Sequence, residues 1–348
     1  MKNWKKKITA VALGITAIVG LLSGCGNADS DNAGSSDASG DSKNQTDRLN
    51  IATRPAPGYL PLTILEDRGW LEEALKEAGY DGVTVTFTEF ESGPPENESF
   101  AAGQQDIGVM GNVPSISGVA SGQERTFIGI STNGEKTEAI LIPMDSDIQS
   151  VADLKGKKVG LVVGSISQNL LDTLLKQEGL SVDDVELVNL ATSEQSEALA
   201  TGQIDAVATW QPTISKLEND GIAKVLADGT GVFLGENTIF ANSAYLEENP
   251  EIVKIFLQQY ARAAQELIDN LDKYAEDYAD KYGIDKDLLK QALKDANFPI
   301  ELTDADITDL QNTADFLYDS GIVSQQVVVS DHVDTSVAQD EEVQKYLK

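Results

Sequence analysis

The sequence predicts an α/β protein of two matching lobes joined by two chain crossings, each lobe a parallel-rich sheet with flanking helices. Three observations predict it: helix–strand alternation runs through two stretches of the chain, a short motif recurs 99 residues apart, and a purely helical pattern follows Pro250. Alternation of strand and helix gives parallel strands covered by helices on both faces. The recurrence makes the two stretches copies of one plan.

The chain opens on a segment with a different job. Lys2, Lys5, Lys6 and Lys7 precede Ile8–Leu22, which are 15 uncharged, mostly apolar residues, and Ser23-Gly24 lead into Cys25, the single cysteine of the chain. A basic start, an apolar stretch and small residues have the form of an export signal. Fifteen residues fall short of the roughly 20 that cross hydrocarbon as a helix. Cysteine in that place resembles the lipobox of bacterial lipoproteins, whose thiol receives diacylglycerol. The resemblance implies a signal peptide over 1–24, cleavage before Cys25 and a lipid anchor on the outer side of the cell membrane. Residues 26–47 are mostly Asp, Ser, Asn and Gly, too polar to offset their chain entropy by burial, and read as part of a disordered tether over 25–47. As a coil these residues span roughly 25 Å. Asp29, Asp31 and Gly34 hint at a calcium loop, but Gly40 stands where the closing Glu belongs, so solvated linker is the reading.

The remaining residues suffice for two lobes of ordinary size. In the first, Leu49–Thr53 reads as a strand, Tyr59–Arg68 as a helix and Val83–Phe90 as a strand, followed by Phe100–Gly111 with its helix end, Gly103, and buried strand. In the second, Lys158–Val163, Ser167–Glu178 and Val185–Leu190 give strand, helix and strand, followed by Leu199–Trp210 with Gly202 in the place of Gly103. Ala, Gly, Gln and Asp recur at matched places in the two closing runs. Asn133–Ala139 with the apolar run Ile140–Pro143 is expected to cross from one lobe to the other, and Val232–Ala241 to cross back. Beyond Pro250, Ile252, Ile255, Phe256, Tyr260, Ala263 and Leu267 keep helical spacing, and Asp285–Asp295 and Thr303–Asp319 fit further helices against lobe 1. The expected lobes are 48–135 plus 238–348 and 136–237. Two lobes on two crossings make a clamshell, a shape that closes around a small molecule.

Composition narrows the function. Net charge is −31, and removing the four signal lysines leaves −35, which argues against nucleic acid and offers no long-range attraction for anions. His332 is the only histidine and sits in a polar stretch without a nucleophile motif, so serine–histidine catalysis lacks its parts. Metal sites built from His and Cys lack ligands. No phosphate loop or dinucleotide fingerprint is present. A binding protein, with no cofactor and no enzymatic activity, is the expectation.

Ligand crevices of open α/β sheets lie at the carboxyl ends of strands. Those ends are Arg54–Tyr59, Ser92–Pro95, Gly111–Pro114, Gly164–Ser167 and Trp210–Pro212. The Gly164–Ser167 turn opens a helix whose free amides suit an oxyanion; Ser165 and Ser167 would contact ligand, cap the helix, or both. Gly111 and Asn112 offer a second close backbone approach. Trp210 would cover an apolar ligand body or fill core, and Arg54 is either the cleft's cation or a surface arginine.

The motifs Gly58–Leu62, Gly69–Leu71, Ser92–Pro95, Ala101–Gly108, Gly111–Pro114, Glu138–Pro143, Ser150–Val159 and Gly202–Ala206 with Trp210 resemble the aliphatic sulfonate, taurine and nitrate substrate-binding proteins of ABC importers, over roughly Leu49–Thr335. The resemblance implies a type II periplasmic-binding fold and a monomer that hands its ligand to an ABC permease and ATPase. It places an anionic head group near Ser165, Ser167, Gly111 and Asn112, with Tyr59 and Trp210 packing the tail and Gly93, Pro94 and Gln168 nearby. Sulfonate binders commonly carry Asp where Asn112 stands and His where Gln168 stands, which disfavours an amine-bearing ligand such as taurine. Glu138 would meet an amine or make a salt bridge at the hinge. An alkanesulfonate is the expected ligand; nitrate, bicarbonate, taurine and a thiamine-type pyrimidine are alternatives, and an enzyme on the same fold is a further one.

Overall fold

The structure, a computed structural model, describes residues 46–347. The signal segment 1–24, Cys25 and the tether through residue 45 lie outside the described residues. β1 (Arg48–Thr53), α1 (Leu60–Arg68), α2 (Trp70–Glu77), β2 (Thr84–Glu89), α3 (Gly93–Ala101) and β3 (Ile107–Gly111) form a first β-α-β-α-β unit. It is extended by α4 (Asn112–Ala120) and β4 (Arg125–Thr132). The chain then enters a second sheet with β5 (Glu138–Pro143), followed by β6 (Lys158–Leu161), α5 (Ile166–Gln177), β7 (Glu186–Asn189), α6 (Thr192–Ala200) and β8 (Ala206–Trp210). α7 (Thr213–Asn219) and β9 (Ala223–Asp228) complete that half, and β10 (Asn237–Asn242) returns to the first sheet. The tail is helical: α8 (Ser243–Glu248), α9 (Pro250–Asp269), α10 (Leu271–Tyr282), α11 (Lys286–Lys294), α12 (Asp304–Asp319) and α13 (Glu341–Gln344).

The sheets run β2-β1-β3-β10-β4 and β7-β6-β8-β5-β9, one order used twice. Each has four strands in one direction and one reversed, because β10 is antiparallel to both β3 and β4, and β5 to both β8 and β9. The reversed strand is in each case the first one after a crossing. Ile140–Pro143 is therefore the second sheet's reversed strand, and the first crossing is the shorter link 133–137. The return is likewise 229–236, since Asn237 already pairs with Gly111. Both expected crossings were drawn too long for one reason: an apolar run that joins two lobes and one that lies inside a sheet read alike.

The repeated motif has a structural cause. Asp106 and Asp205 each open a strand and clasp the start of its parallel neighbour, accepting at 2.8 Å from the amides of Asn50 and Lys158. Gly103 (φ 68°) and Gly202 (φ 70°) sit in the left-handed region at the ends of α3 and α6. The amides after them, of Gln104 and Gln203, reach back to the carbonyls of Ser99 and Ala198, closing each helix as a Schellman motif. Ser150–Val159 is also explained: the Asp153 carboxylate caps a 3₁₀ turn by accepting from Ser150 Oγ and N, both at 3.0 Å. Val151 and Leu154 thereby enter the second core beside Val159.

α9 turns Ile252, Ile255, Phe256, Tyr260, Ala263 and Leu267 into the first core against α1 and β1. Each large side chain of this kind contributes about 1.5–3 kcal/mol by leaving water. Helices and sheet on one side and the second sheet on the other give the two-lobe α/β clamshell.

Candidate functional site

The two lobes meet around a cavity of about 40 Å³ lined by Arg54, Tyr59, Thr132 and Asn237 from the first sheet's side and Glu138, Ile166, Trp210 and Gln211 from the second's. Each arrives at a strand end or the first turn of a helix. Tyr59 closes a 3₁₀ turn begun by Pro57, and it is buried. Its hydroxyl donates to Asn237 Oδ1 at 2.7 Å, while Asn237 Nδ2 donates to Thr132 Oγ1 at 3.1 Å, fixing both neighbours of the ring.

Arg54 is buried rather than on the surface, and its charge is already met. Its Nη2 contacts Glu96 Oε2 at 3.0 Å, and its guanidinium lies 5.5 Å from the Tyr59 ring centroid. Burial works to neutralise Glu96 while Arg54 works to keep it charged. A buried pair of this kind holds the end of β1 to α3 and leaves little free positive charge for a ligand. Gly93 begins α3 beside it, and a Cβ there would strike Pro114 and sit 3.2 Å from Arg54 Nη2. Gly93 thus shapes the wall behind Arg54, and neither it nor Pro94 is among the residues lining the cavity.

Glu138 begins β5 and is buried; its Oε2 accepts from Thr137 Oγ1 at 2.6 Å. Burial pushes its carboxyl up to about 7, against the Thr137 hydrogen bond, which lowers it. No cation salt-bridges it among the described residues. Trp210 ends β8 directly opposite in the ladder, paired with Glu138.

Across the gap, α5 starts with Ser165 as its N-cap residue, and Ile166 projects into the cavity between Ser165 and Ser167. Neither serine caps the helix. Both hydroxyls are buried, 4% and 0% exposed by residue, and neither Oγ has a hydrogen-bond partner among the described residues. The first amides of a helix lack i→i−4 partners, although in α5 the Gln168 amide already donates to the Ser165 carbonyl at 3.2 Å. Gln168 turns back, its Oε1 accepting from the Gly164 amide at 2.8 Å, so it shapes the turn.

Gly111 comes close to this turn: a Cβ on it would lie 3.3 Å from Ile166 Cβ. Its neighbour departs from expectation. The Asn112 amide is engaged by the Glu236 carbonyl at 2.9 Å, and its side chain reaches Thr313 Oγ1 at 3.3 Å and the Val113 amide at 2.8 Å. Asn112 lines a separate cavity between α5 and α12, so its backbone is not a free donor at the Tyr59–Trp210 cavity.

The structure thus gathers Arg54, Tyr59, Glu138 and Trp210 on the cavity, while Ser165, Ser167 and Gly111 adjoin Ile166 without lining it, and Gly93, Pro94, Asn112 and Gln168 do not line it either. Sequence reasoning missed Thr132, Thr137 and Asn237, and it placed Ile166 and Gln211 at strand ends of the crevice without singling them out. Thr137 was readable as the last residue before β5. Asn237 was not, being 178 positions from the Tyr59 it holds.

Paired lobes, doubled sheet order and an interlobe cavity rimmed by strand ends define the type II periplasmic-binding-protein clamshell. Residues 61–273 match the NMT1/THI5-like family, and the chain belongs to it. It is 33% identical over 324 residues to a putative aliphatic sulfonates-binding protein of Bacillus subtilis, covering 92% of this chain and 93% of that one. A protein of the same description from Escherichia coli is 30% identical over 262 residues, 74% of this chain and 82% of the relative. Among solved structures, the alkanesulfonate-binding protein SsuA of Xanthomonas axonopodis pv. citri bound to MOPS superposes with a TM-score of 0.77 at 28% identity, covering 84% of this chain and 99% of that one. No helix among the described residues is long and apolar enough to cross a membrane.

Proposed function

We propose that the protein is an extracytoplasmic solute-binding lipoprotein of an ABC importer, anchored through Cys25, that captures an aliphatic sulfonate between its lobes and delivers it to the permease. The names of its relatives support the ligand class, and the sequence of residues 1–25 supports the anchor. In this reading residues 1–24 are removed, 25–47 tether a monomer, and the lobes are 48–135 plus 238–348 and 136–237. The protein captures and releases its ligand without altering it.

One observation carries the ligand class: two buried hydroxyls without a partner among the described residues, Ser165 and Ser167, flank Ile166, the residue of the first turn of α5 that lines the cavity. A sulfonate oxygen accepts from both and from the helix's first amides, and the helix dipole favours its charge. Neutral donors give direction without a buried countercharge, which is costly when unpaired. Glu138, pressed toward its neutral form, tolerates an anion close by. Tyr59 and Trp210 cover the alkyl tail.

Calorimetric titration of ethanesulfonate into the wild type and the Ser165→Ala/Ser167→Ala variant tests this. The variant is expected to bind at least tenfold more weakly, or about 1.4 kcal/mol. It is also expected to melt no lower, because it loses two unsatisfied buried groups. Equal affinity would refute the site. Tighter binding of taurine, nitrate, bicarbonate or a thiamine pyrimidine than of any alkanesulfonate would replace the ligand.

A further inference from the structure

A second cavity, about 350 Å³, lies between α5 and α12 with the return crossing as its floor. That volume is in the range that holds small ligands. Its walls carry Asp172 and Lys176 from α5, Asp309 from α12 and Glu236 from the crossing. Lys176 is already committed: its ammonium contacts Asp172 Oδ2 at 2.6 Å and lies 4.4 Å from the Phe316 ring centroid on α12. Glu236 is not. It is 1% exposed, and neither carboxyl oxygen has a hydrogen-bond partner among the described residues. The charged groups that face it are Asp306 and Asp309, both acidic, and Asp306 is close enough to share a proton with it. Asp306 itself accepts from the Thr303 amide and hydroxyl at 2.7 and 2.6 Å, so it is held as an acceptor.

We propose that this cavity binds a small organic ammonium ion, with Glu236 as its principal counterion and Asp309 as a second acceptor. A buried carboxyl that faces two further carboxyls is favoured by either a proton or a cation beside it. A primary ammonium supplies three donors and one positive charge to replace that proton. Asn169, Asn312 and Thr313 add neutral oxygens around it. No group of three or more His, Cys, Asp or Glu suited to a metal ion occurs among the described residues, which points to an organic cation. Burial first, then Asp306 and Asp309, pushes the Glu236 carboxyl up to about 8, so the cation exchanges with a bound proton. The inference does not depend on the sulfonate site, which lies beyond Ile166.

The test is titration of the full chain with ethylammonium chloride at constant ionic strength, followed by saturation-transfer NMR. Tetramethylammonium chloride is the control, equal in charge but without N–H donors. Saturable ethylammonium binding is expected, stronger at pH 9 than at pH 6, with little binding of tetramethylammonium. Glu236→Gln should weaken it at least tenfold. Asp309→Asn, a change at an exposed position, should weaken it severalfold even if the first variant fails to fold. Ser165→Ala/Ser167→Ala should leave it unchanged, so that failure of the sulfonate reading and failure of this one are told apart. Identical behaviour of the two ammonium ions would mean screening of the acidic surface only, and would overturn the proposal. So would wild-type ethylammonium affinity in either acidic-site variant.

Discussion

At the scale of single residues, the site is built by withholding partners. Ser165 and Ser167 bury hydroxyls that no other group among the described residues satisfies, while Arg54, the residue expected to bring charge, is matched by Glu96 at 3.0 Å. Glu138 adds a pH signature. Its carboxyl rises from 4.5 to about 7 on folding because burial penalises the charged form. In the unfolded chain it ionises freely, so between those values the folded state holds the extra proton. Its contribution is full below about 4.5 and is lost as pH rises through about 7. The loss is on the order of 3 kcal/mol. Urea denaturation at pH 5 and pH 8.5 should show wild type losing more stability across that interval than Glu138→Gln. Equal losses would mean that Glu138 ionises freely where it lies. Trp210 was legible from the sequence because it ends a strand, and Glu138 because it stands at the first crossing, where the family resemblance made it a candidate. Glu96 was not: the salt bridge joins residues 42 positions apart, and nothing in a one-dimensional pattern says which carboxylate meets which cation.

At the scale of elements, α5 carries most of the chemistry. Its N-terminal turn presents the serines, its first residue Ile166 packs by Gly111 at the end of β3, and its far face lines the second cavity. Gly111→Val should therefore wedge the lobes apart where a Cβ would already lie 3.3 Å from Ile166. The expected result is at least a tenfold loss of ethanesulfonate affinity and a larger radius of gyration by small-angle scattering. Ile166→Ala in the same chain should restore both; no rescue would show that Gly111 serves the fold of its own lobe only. Helices α2, α4 and α7 were not read, whereas the parallel strands other than β4 and β9, and the helices α1, α3, α5, α6, α9, α11 and α12, were readable from period and caps, as the matched Asp106 and Asp205 clasps show. β4 and β10 were not. β4 is buried along almost its whole length and so lacks alternation, and β10 pairs with it across 105 positions.

At the scale of the whole molecule, one plan is used twice and each copy lends the reversed strand's place to a chain segment arriving from the other. That exchange puts the ends of both crossings beside the cavity, where Thr137 and Asn237 stand, so hinge and site share residues. The surface charge of −31 repels anions at a distance, and capture then depends on short-range donors. The account's central claim is that a sulfonate lies between the lobes on the α5 turn. The most direct measurement is the anomalous signal of the ligand's sulfur in crystals grown with ethanesulfonate. The account predicts a peak within hydrogen-bonding reach of the Ser165 and Ser167 hydroxyls, on the Tyr59–Trp210 side of Ile166. A peak in the α5–α12 cavity or on the outer surface would contradict it.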